Sequence, residues 1–264
     1  MKKYILIISI LLLVLFCFLY PIQNPKIVNL TETFLPMSSQ HFFGTDDLGR
    51  DIFSLIIIGF RRTILVILAS NILSVFIGVP LGIISAYFGG IFKQIIRLIA
   101  NLCMSIPSFI VALILTMLVG QSPVYIGFAL GVYGIGTFVY QSEFLTEQLL
   151  EKEFILFEKL SGTSSFNILF RFILPCHSEH IMTLMASQGT SVILSYASLT
   201  FIGLGSDITT PDWGSLLFQY RFYIVEHPLL ILWPTLAILL LSVTMYILFD
   251  YSKQKKSRKE IVYD

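Results

Sequence analysis

Six stretches of this chain are long enough to cross a bilayer and contain no Asp, Glu, Lys, Arg or His: residues 4–20, 63–88, 98–119, 124–140, 181–204 and 228–249. Together they make up close to half of the 264 residues, and their lengths match the roughly 17–25 residues that a helical crossing needs. Inside hydrocarbon no water is present to bond the backbone, so each crossing must satisfy its own N–H and C=O groups, and helices are the expected form. The expected fold is all-α: a polytopic membrane helical bundle with six transmembrane helices. Only 12% of residues are charged, against about 25% in an ordinary soluble domain. Ionisable groups inside spans mark proton relays and ion pathways. Their absence argues against an ion-coupled pump and places the energy source on another chain.

The basic residues fix an orientation. With both termini inside, the inner segments hold twelve Lys and Arg residues and the outer segments five, namely Lys26, Arg50, Arg61, Arg62 and Arg221. That is the bias the positive-inside rule requires, and it makes both termini cytoplasmic. Met1-Lys2-Lys3 and the first span have the look of a signal peptide. No small-residue cleavage site follows, and Phe16 precedes Cys17 where a lipoprotein signal would carry a small residue, so the span is read as an uncleaved anchor. Cys17, Cys103 and Cys176 are odd in number and lie in or beside spans, which argues against structural disulfides. The basic tail after Asp250 reads as a solvated anchor at the lipid surface.

Three polar segments remain: 21–62 outside, 141–180 inside and 205–227 outside. None is large enough for a separate soluble domain, so residues 1–264 form a single membrane domain. In the inner segment Glu143, Glu147, Glu151 and Glu158 share one helical face, with Leu145, Leu149, Leu156 and Leu160 on the opposite one, which reads as an amphipathic helix. Gly162 supplies a break, and Ser164 can cap a second helix running towards Pro175. A helix-turn-helix at the cytoplasmic surface follows. In the spans, Gly78 and Gly82, and Gly127 and Gly131, recur at close-packing intervals. Pro80, Pro107 and Pro234 interrupt their spans.

Enzymatic chemistries find no support. No Gly-x-x-x-x-Gly-Lys-[Ser/Thr] loop is present to cradle ATP phosphates. His177 and His180 lack the His-Glu-x-x-His spacing of a zinc hydrolase and read as surface polar residues, as do His41 and His227 on the outer side, so no metal site is assigned. Asp46, Asp47, Arg50 and Asp51 alternate in sign, which in solvent reads as a salt-bridged cap on the second span. Trp213, near Tyr220, Arg221 and Tyr223, sits where an interfacial aromatic belt belongs. An ion-coupled secondary transporter, or another small-solute membrane carrier, is the alternative. It would more often show duplicated halves and ionisable groups at midplane.

Three motifs carry a resemblance. The first is HFFGTDDLGRD at 41–51, followed by GFRRT at 59–63; the second is AYFGG at 86–90, leading to Ser105-Ile106-Pro107. The third is ASLTFIGLG at 197–205, continuing to TPDWG at 210–214. In this order and spacing the chain resembles, along nearly its whole length, the integral-membrane permeases of bacterial binding-protein-dependent ABC importers in the dipeptide, oligopeptide and nickel group. That family also has a cytoplasmic loop reading Glu-Ala-Ala, three residues, Gly, nine residues, then Ile-x-Leu-Pro. Gly162, Leu174 and Pro175 hold their places here, while Leu156-Phe157-Glu158 stand for Glu-Ala-Ala and Phe172 stands for Ile. Tyr196 stands where the group usually has Glu.

The resemblance implies a methionine-importer-like ABC permease fold and an ATPase-docking loop at 141–180 that uses Leu156, Phe157, Glu158, Lys159, Gly162, Leu174 and Pro175. It implies an external gate or binding-protein contact at Asp46, Asp47, Arg50, Asp51 and Trp213. It also implies partners: a second homologous permease, two ABC ATPase subunits, an extracytoplasmic substrate-binding protein and membrane lipid, with no nucleic acid. The expected place is the bacterial inner membrane. No cofactor is expected on this chain, since ATP and Mg would be bound by the partners. The cargo implied is peptides, nickel or nickel chelates.

Overall fold

The computed structural model describes residues 17–24, 27–203 and 210–263, with side chains described for all of them except Val119 and those from 248 onward. The first expected span therefore lies outside the described residues except for its last turn, as do Lys26 and the Leu204-Gly205 end of the third motif. Among the described residues the structure is helical, and its one extended pairing is an isolated bridge between Thr45 and Asp51. In chain order the helices are α1 (Ile52–Phe88), α2 (Gly90–Ser105), α3 (Ser108–Val119), α4 (Pro123–Leu150), α5 (Glu153–Leu160), α6 (Leu174–Phe201), α7 (Trp213–Tyr220) and α8 (Pro228–Tyr263).

The described residues fall into two compact units. One lies within Met1–Leu65, Gln121–Pro123 and Tyr196–Leu240, the other within Val66–Gly120, Val124–Ser195 and Leu241–Asp264. The first unit is organised around Ile52, Leu55, Ile58, Leu216, Tyr220 and Leu230, with Phe43 stacked on Trp233 and Phe34 stacked on His227 at its edge. The second holds two cores. Val79, Ile83, Phe138, Ile155, Ile168 and Ile173 form one, and Ile96, Ala100, Ile135 and Val139 the other.

Several expected spans change shape. α1 starts at Ile52, eleven residues before the expected span, because Asp51 caps it by accepting the Ser54 N–H at 2.8 Å. It ends where Gly89 and Gly90 take φ of 62° and 55°, a left-handed geometry open to residues without a Cβ, so the AYFGG motif is a reversal point. The span expected at 98–119 is instead two helices, α2 and α3, bent by 78°. Ile106 is extended at φ −93° and ψ 124°, as a residue before proline must be, and Pro107 then opens α3. Pro80 and Pro234, by contrast, sit inside the continuous helices α1 and α8 and break neither.

By length and apolarity, three of the described helices can cross a membrane: Ile52–Phe88, Pro123–Leu150 and Pro228–Ile247. The bent α2–α3 pair makes a fourth if it is one span. α6, 28 residues long, covers residues 181–201 of the expected 181–204 span but is less apolar. Its Gln188 amide turns inward and donates to Ser70 at 2.9 Å and Ser74 at 2.8 Å. Such polar pairing lets a helix with hydrophilic side chains pack among apolar ones.

The α1–α4 seam is built on small residues, as their spacing in the sequence predicts. A Cβ on Gly78 would lie 2.6 Å from Phe138 Cβ, and one on Gly82 would lie 2.4 Å from the Val139 carbonyl oxygen. From the other side, a Cβ on Gly127 would lie 2.6 Å from the Val66 carbonyl oxygen. Backbone cannot yield as a flexible side chain can. Gly82→Val should therefore destabilise the fold by at least the about 1–3 kcal/mol typical of overpacking, read as a lower melting temperature and a reduced yield of detergent-solubilised protein. A melting curve equal to the wild type would overturn the seam.

Candidate functional site

The polar segment 141–180 forms a hairpin, with a break that the sequence pattern does not reveal. α4 runs on to Leu150, the chain turns at residues 151–152, and α5 begins at Glu153. The expected single amphipathic helix is thus two helices, because the backbone bends between Glu147 and Glu158. Glu143 does not lie on a solvated face either. It is 1% exposed and accepts from Arg97 Nε at 2.7 Å and from Ser85 Oγ at 2.7 Å.

α5 is anchored by Ile155, which is fully buried with Ile168 and Ile173. Its other side stands out. Phe157 is 68% exposed and Leu160 88%, with Phe154, Leu156, Phe166 and Phe170 also exposed. The turn follows the local rules. Gly162 takes φ +80° and donates its N–H to Lys159 O, while Thr163 Oγ1 donates to Glu158 Oε2 at 2.6 Å. Ser164 caps the next turn, Ser165–Asn167, by accepting the Asn167 N–H. Tyr87 holds the hairpin from the side, donating to Ser165 Oγ at 2.8 Å with Lys159 Nζ over its ring.

Leu174 and Pro175 do not end a helix, as the sequence suggests. The wide π-turn Ile168–Ile173 leads straight into α6. A proline gives up its hydrogen bond and displaces the carbonyl four residues earlier, and a loosened turn accommodates both. His177, expected on the surface, is fully buried, its ring nitrogens 2.9 Å from Ile173 O and 3.1 Å from Thr146 Oγ1. Among the described residues no cluster of three His, Cys, Asp or Glu side chains is arranged to hold a metal.

The alternating charges of residues 46–51 form an inward-turned collar rather than a solvated cap. Asp46 and Arg50 are buried, with Arg50 Nη2 2.7 Å from Asp46 Oδ2. Asp46 Oδ1 accepts the Leu48 and Arg50 N–H groups, and Tyr220 donates to Oδ2 at 3.0 Å. Asp51, buried at the α1 cap, meets His41 Nδ1 at 3.1 Å, so His41 is also interior. Asp47 alone of the four is half-buried. Burial, then the neighbouring Asp46 charge, pushes its carboxyl up against the pull of Arg50.

Trp213 belongs to packing, not to an interfacial belt. It is 3% exposed, donates Nε1–H to Ile56 O at 3.0 Å, and lies where a Cβ on Gly59 would be 2.4 Å from its ring. Just before it, Asp212 caps α7 through the Gly214 and Ser215 N–H groups, and Ser215 Oγ accepts the Asp212 N–H in return. Asp212 also accepts from Thr200 at 2.6 Å and from Tyr196 at 3.2 Å. Tyr196 is therefore a buried hydroxyl donor that helps tie α6 to the α7 cap, a role its place in the sequence does not show.

A family model described as binding-protein-dependent transport system inner membrane component matches residues 78–258. The chain is 30% identical over 213 residues to the glutathione transport system permease protein GsiD of Pectobacterium atrosepticum, covering 81% of this chain and 71% of that one. It is 30% identical over 236 residues to the dipeptide transport system permease protein DppC of Alkalihalophilus pseudofirmus, covering 89% and 78%. Among solved structures, the inward-facing MetNI methionine ABC transporter shares its fold, with a TM-score of 0.54 at 17% identity, covering 83% of this chain and 99% of that one. The chain belongs to the family of inner-membrane components of binding-protein-dependent transport systems. It is a permease subunit, not an enzyme, with the membrane-helical permease fold.

Two outcomes test the geometry. Tyr196→Phe removes one buried hydrogen bond and should cost about 0.5–1.5 kcal/mol, whereas Asp212→Ala removes the cap and strands two side-chain hydroxyls and should cost several-fold more in thermal unfolding. Equal melting temperatures for the two variants would contradict the cap. Gly162→Val places a β-branched residue at positive φ, at roughly 1–2 kcal/mol. It should raise the protease sensitivity of the hairpin without unfolding the rest.

Proposed function

We propose that this chain is the membrane permease of an ABC importer for short peptides, working beside a second, similar permease and above two ATPase subunits that bind ATP and Mg. The observation that carries this is the hairpin. α5 is pinned by Ile155 yet presents Phe157 and Leu160 outward on a glycine turn, a rigid apolar knob of the kind that needs a socket on another chain. Leu156, Glu158 and Lys159 share that short helix, and Leu174 and Pro175 lie where the hairpin feeds into α6. Phe157 in place of an alanine makes the knob larger, so its socket is expected to be correspondingly deep.

In this reading ATP closes the ATPase pair, the hairpins move with it, and the bundles turn from inward-facing to outward-facing. Changing such an equilibrium from 1:99 to 99:1 requires about 5.5 kcal/mol of differential stabilisation, which a packed helix transmits and a loose linker does not. The buried Asp46–Arg50–Tyr220 ties and the Trp213 contact give the outer collar a fixed shape, and Asp47, half-buried, is left nearest to a delivering binding protein. Both termini are cytoplasmic, as the basic residues require.

The cargo reading rests on relatives named for glutathione and dipeptide transport. Nickel or nickel chelates are the competing cargo. In a deletion strain complemented with this chain and its neighbouring transport genes, labelled glutathione or dipeptide should accumulate in an ATP-dependent manner, and Phe157→Asp should abolish that uptake by at least ten-fold while the protein still inserts. Uptake of labelled nickel but not peptide would move the cargo. Uphill transport by this chain alone on a proton or sodium gradient would overturn the importer.

A further inference from the structure

α2 is held in an unusual way. Its outward face is apolar, with Ile91, Phe92, Ile95, Leu98 and Leu102 exposed, while its cations, themselves partly exposed, reach to the buried Glu143 of α4. Both ends are joints: the Gly89–Gly90 reversal at the start and the 78° bend before α3 at the other end. Between them α2 packs on the rest of its unit through Ile96 and Ala100, Tyr140 donates to Asn101 Oδ1 at 2.7 Å, and Gly136 lets Ala100 and Met104 approach closely; to these contacts an ionic tether is added. Arg97 Nη2 lies 2.5 Å and Lys93 Nζ 3.4 Å from Glu143 Oε1, and Lys93 also pairs with Glu147.

The partner stretch, residues 142–147 of α4, is equally distinctive. Glu143 reaches α1 through Ser85 as well as α2. Thr146 Oγ1 and the Ser142 carbonyl oxygen both meet the buried His177 ring of α6, at 3.1 and 3.2 Å. Ser142, Glu143, Thr146 and His177 are all buried. Less than two turns of helix thus touch α1, α2 and α6 through directional bonds, and α5 begins six residues after Glu147. Apolar side chains slide over one another. Short charged and buried hydrogen bonds hold a register, and breaking one leaves a costly unpaired group.

We infer that residues 142–147 are a junction carrying the displacement of the α5 hairpin to the three helices around it, with Glu143 the positioning residue that makes α2 follow. The inference rests on the importer reading above. α2 is joined to its neighbours in the chain at a two-glycine break and at a 78° bend, so its charged bonds to α4 add a direct link from the junction.

The test uses the assembled importer with its binding protein in proteoliposomes, measuring peptide uptake and ATP hydrolysis together. Glu143→Gln keeps the shape and removes the charge. Substrate carried per ATP should fall about ten-fold, the change that roughly 1.4 kcal/mol makes in an equilibrium, while hydrolysis stays within about two-fold. Glu143→Asp, which keeps the charge, should recover much of the loss. Unchanged uptake per ATP in Glu143→Gln would overturn the junction. So would uptake and hydrolysis falling together with the amount of assembled complex, or Glu143→Asp behaving no better than Glu143→Gln, since each is what mere packing predicts. If the wild-type complex shows no ATP-dependent uptake at all, the importer reading fails and the inference falls with it.

Discussion

Inside a bilayer apolar side chains gain nothing by leaving lipid for one another, so helices must be held together by close packing and by polar bonds that lipid cannot offer. The α1–α4 seam is where this protein meets that demand. Gly78 and Gly82 of α1, and Gly127 and Gly131 of α4, let backbone press on backbone at distances no Cβ would allow. The cores around Phe138 and Val139 depend on that approach, and so does the position of α4, whose end leads into the hairpin.

Polar bonds are then distributed unevenly along the chain. Along the helices they are sparse and local, as where Gln188 bridges Ser70 and Ser74. Near the hairpin they become charged and dense around Glu143. In the segments before α1 and before α7 they fold inward around Asp46 and Asp212. A carboxylate away from bulk water is tolerable only when saturated with donors, and both of these aspartates are. Asp46 takes two backbone N–H groups, an arginine and a tyrosine, and Asp212 takes a helix cap and two side-chain hydroxyls. Burial nonetheless pushes the Asp212 carboxyl up, against the Thr200 and Ser215 hydrogen bonds and the Arg62 charge.

The two polar regions differ in how they use their side chains. The charges of the HFFGTDDLGRD and TPDWG motifs hold one local shape and act as internal fastenings. The hairpin keeps its apolar residues exposed and its anchor Ile155 buried, which is what the proposed docking role would need. Tyr196 gives the buried Asp212 a neutral donor, where a carboxylate at the same place would repel it.

Features that depend on a few neighbouring residues were legible in the chain itself. The apolar lengths, the Gly162 turn, the Ser164 cap and the glycine spacing of the seam follow from helix geometry and the steric freedom of glycine, which act over a handful of residues. What the chain could not disclose is which polar groups would be interior. His41, His177, Trp213 and Arg50 look like surface residues until the fold brings up their partners, which lie as much as 169 residues away in the Arg50–Gln219 contact. Likewise, the division of 98–119 into two helices turns on how far α2 and α3 swing about Pro107, and the split between α4 and α5 on where Ile155 finds its core. Burial and bending of this kind are set by contacts distant in sequence, and only the tertiary structure decides them.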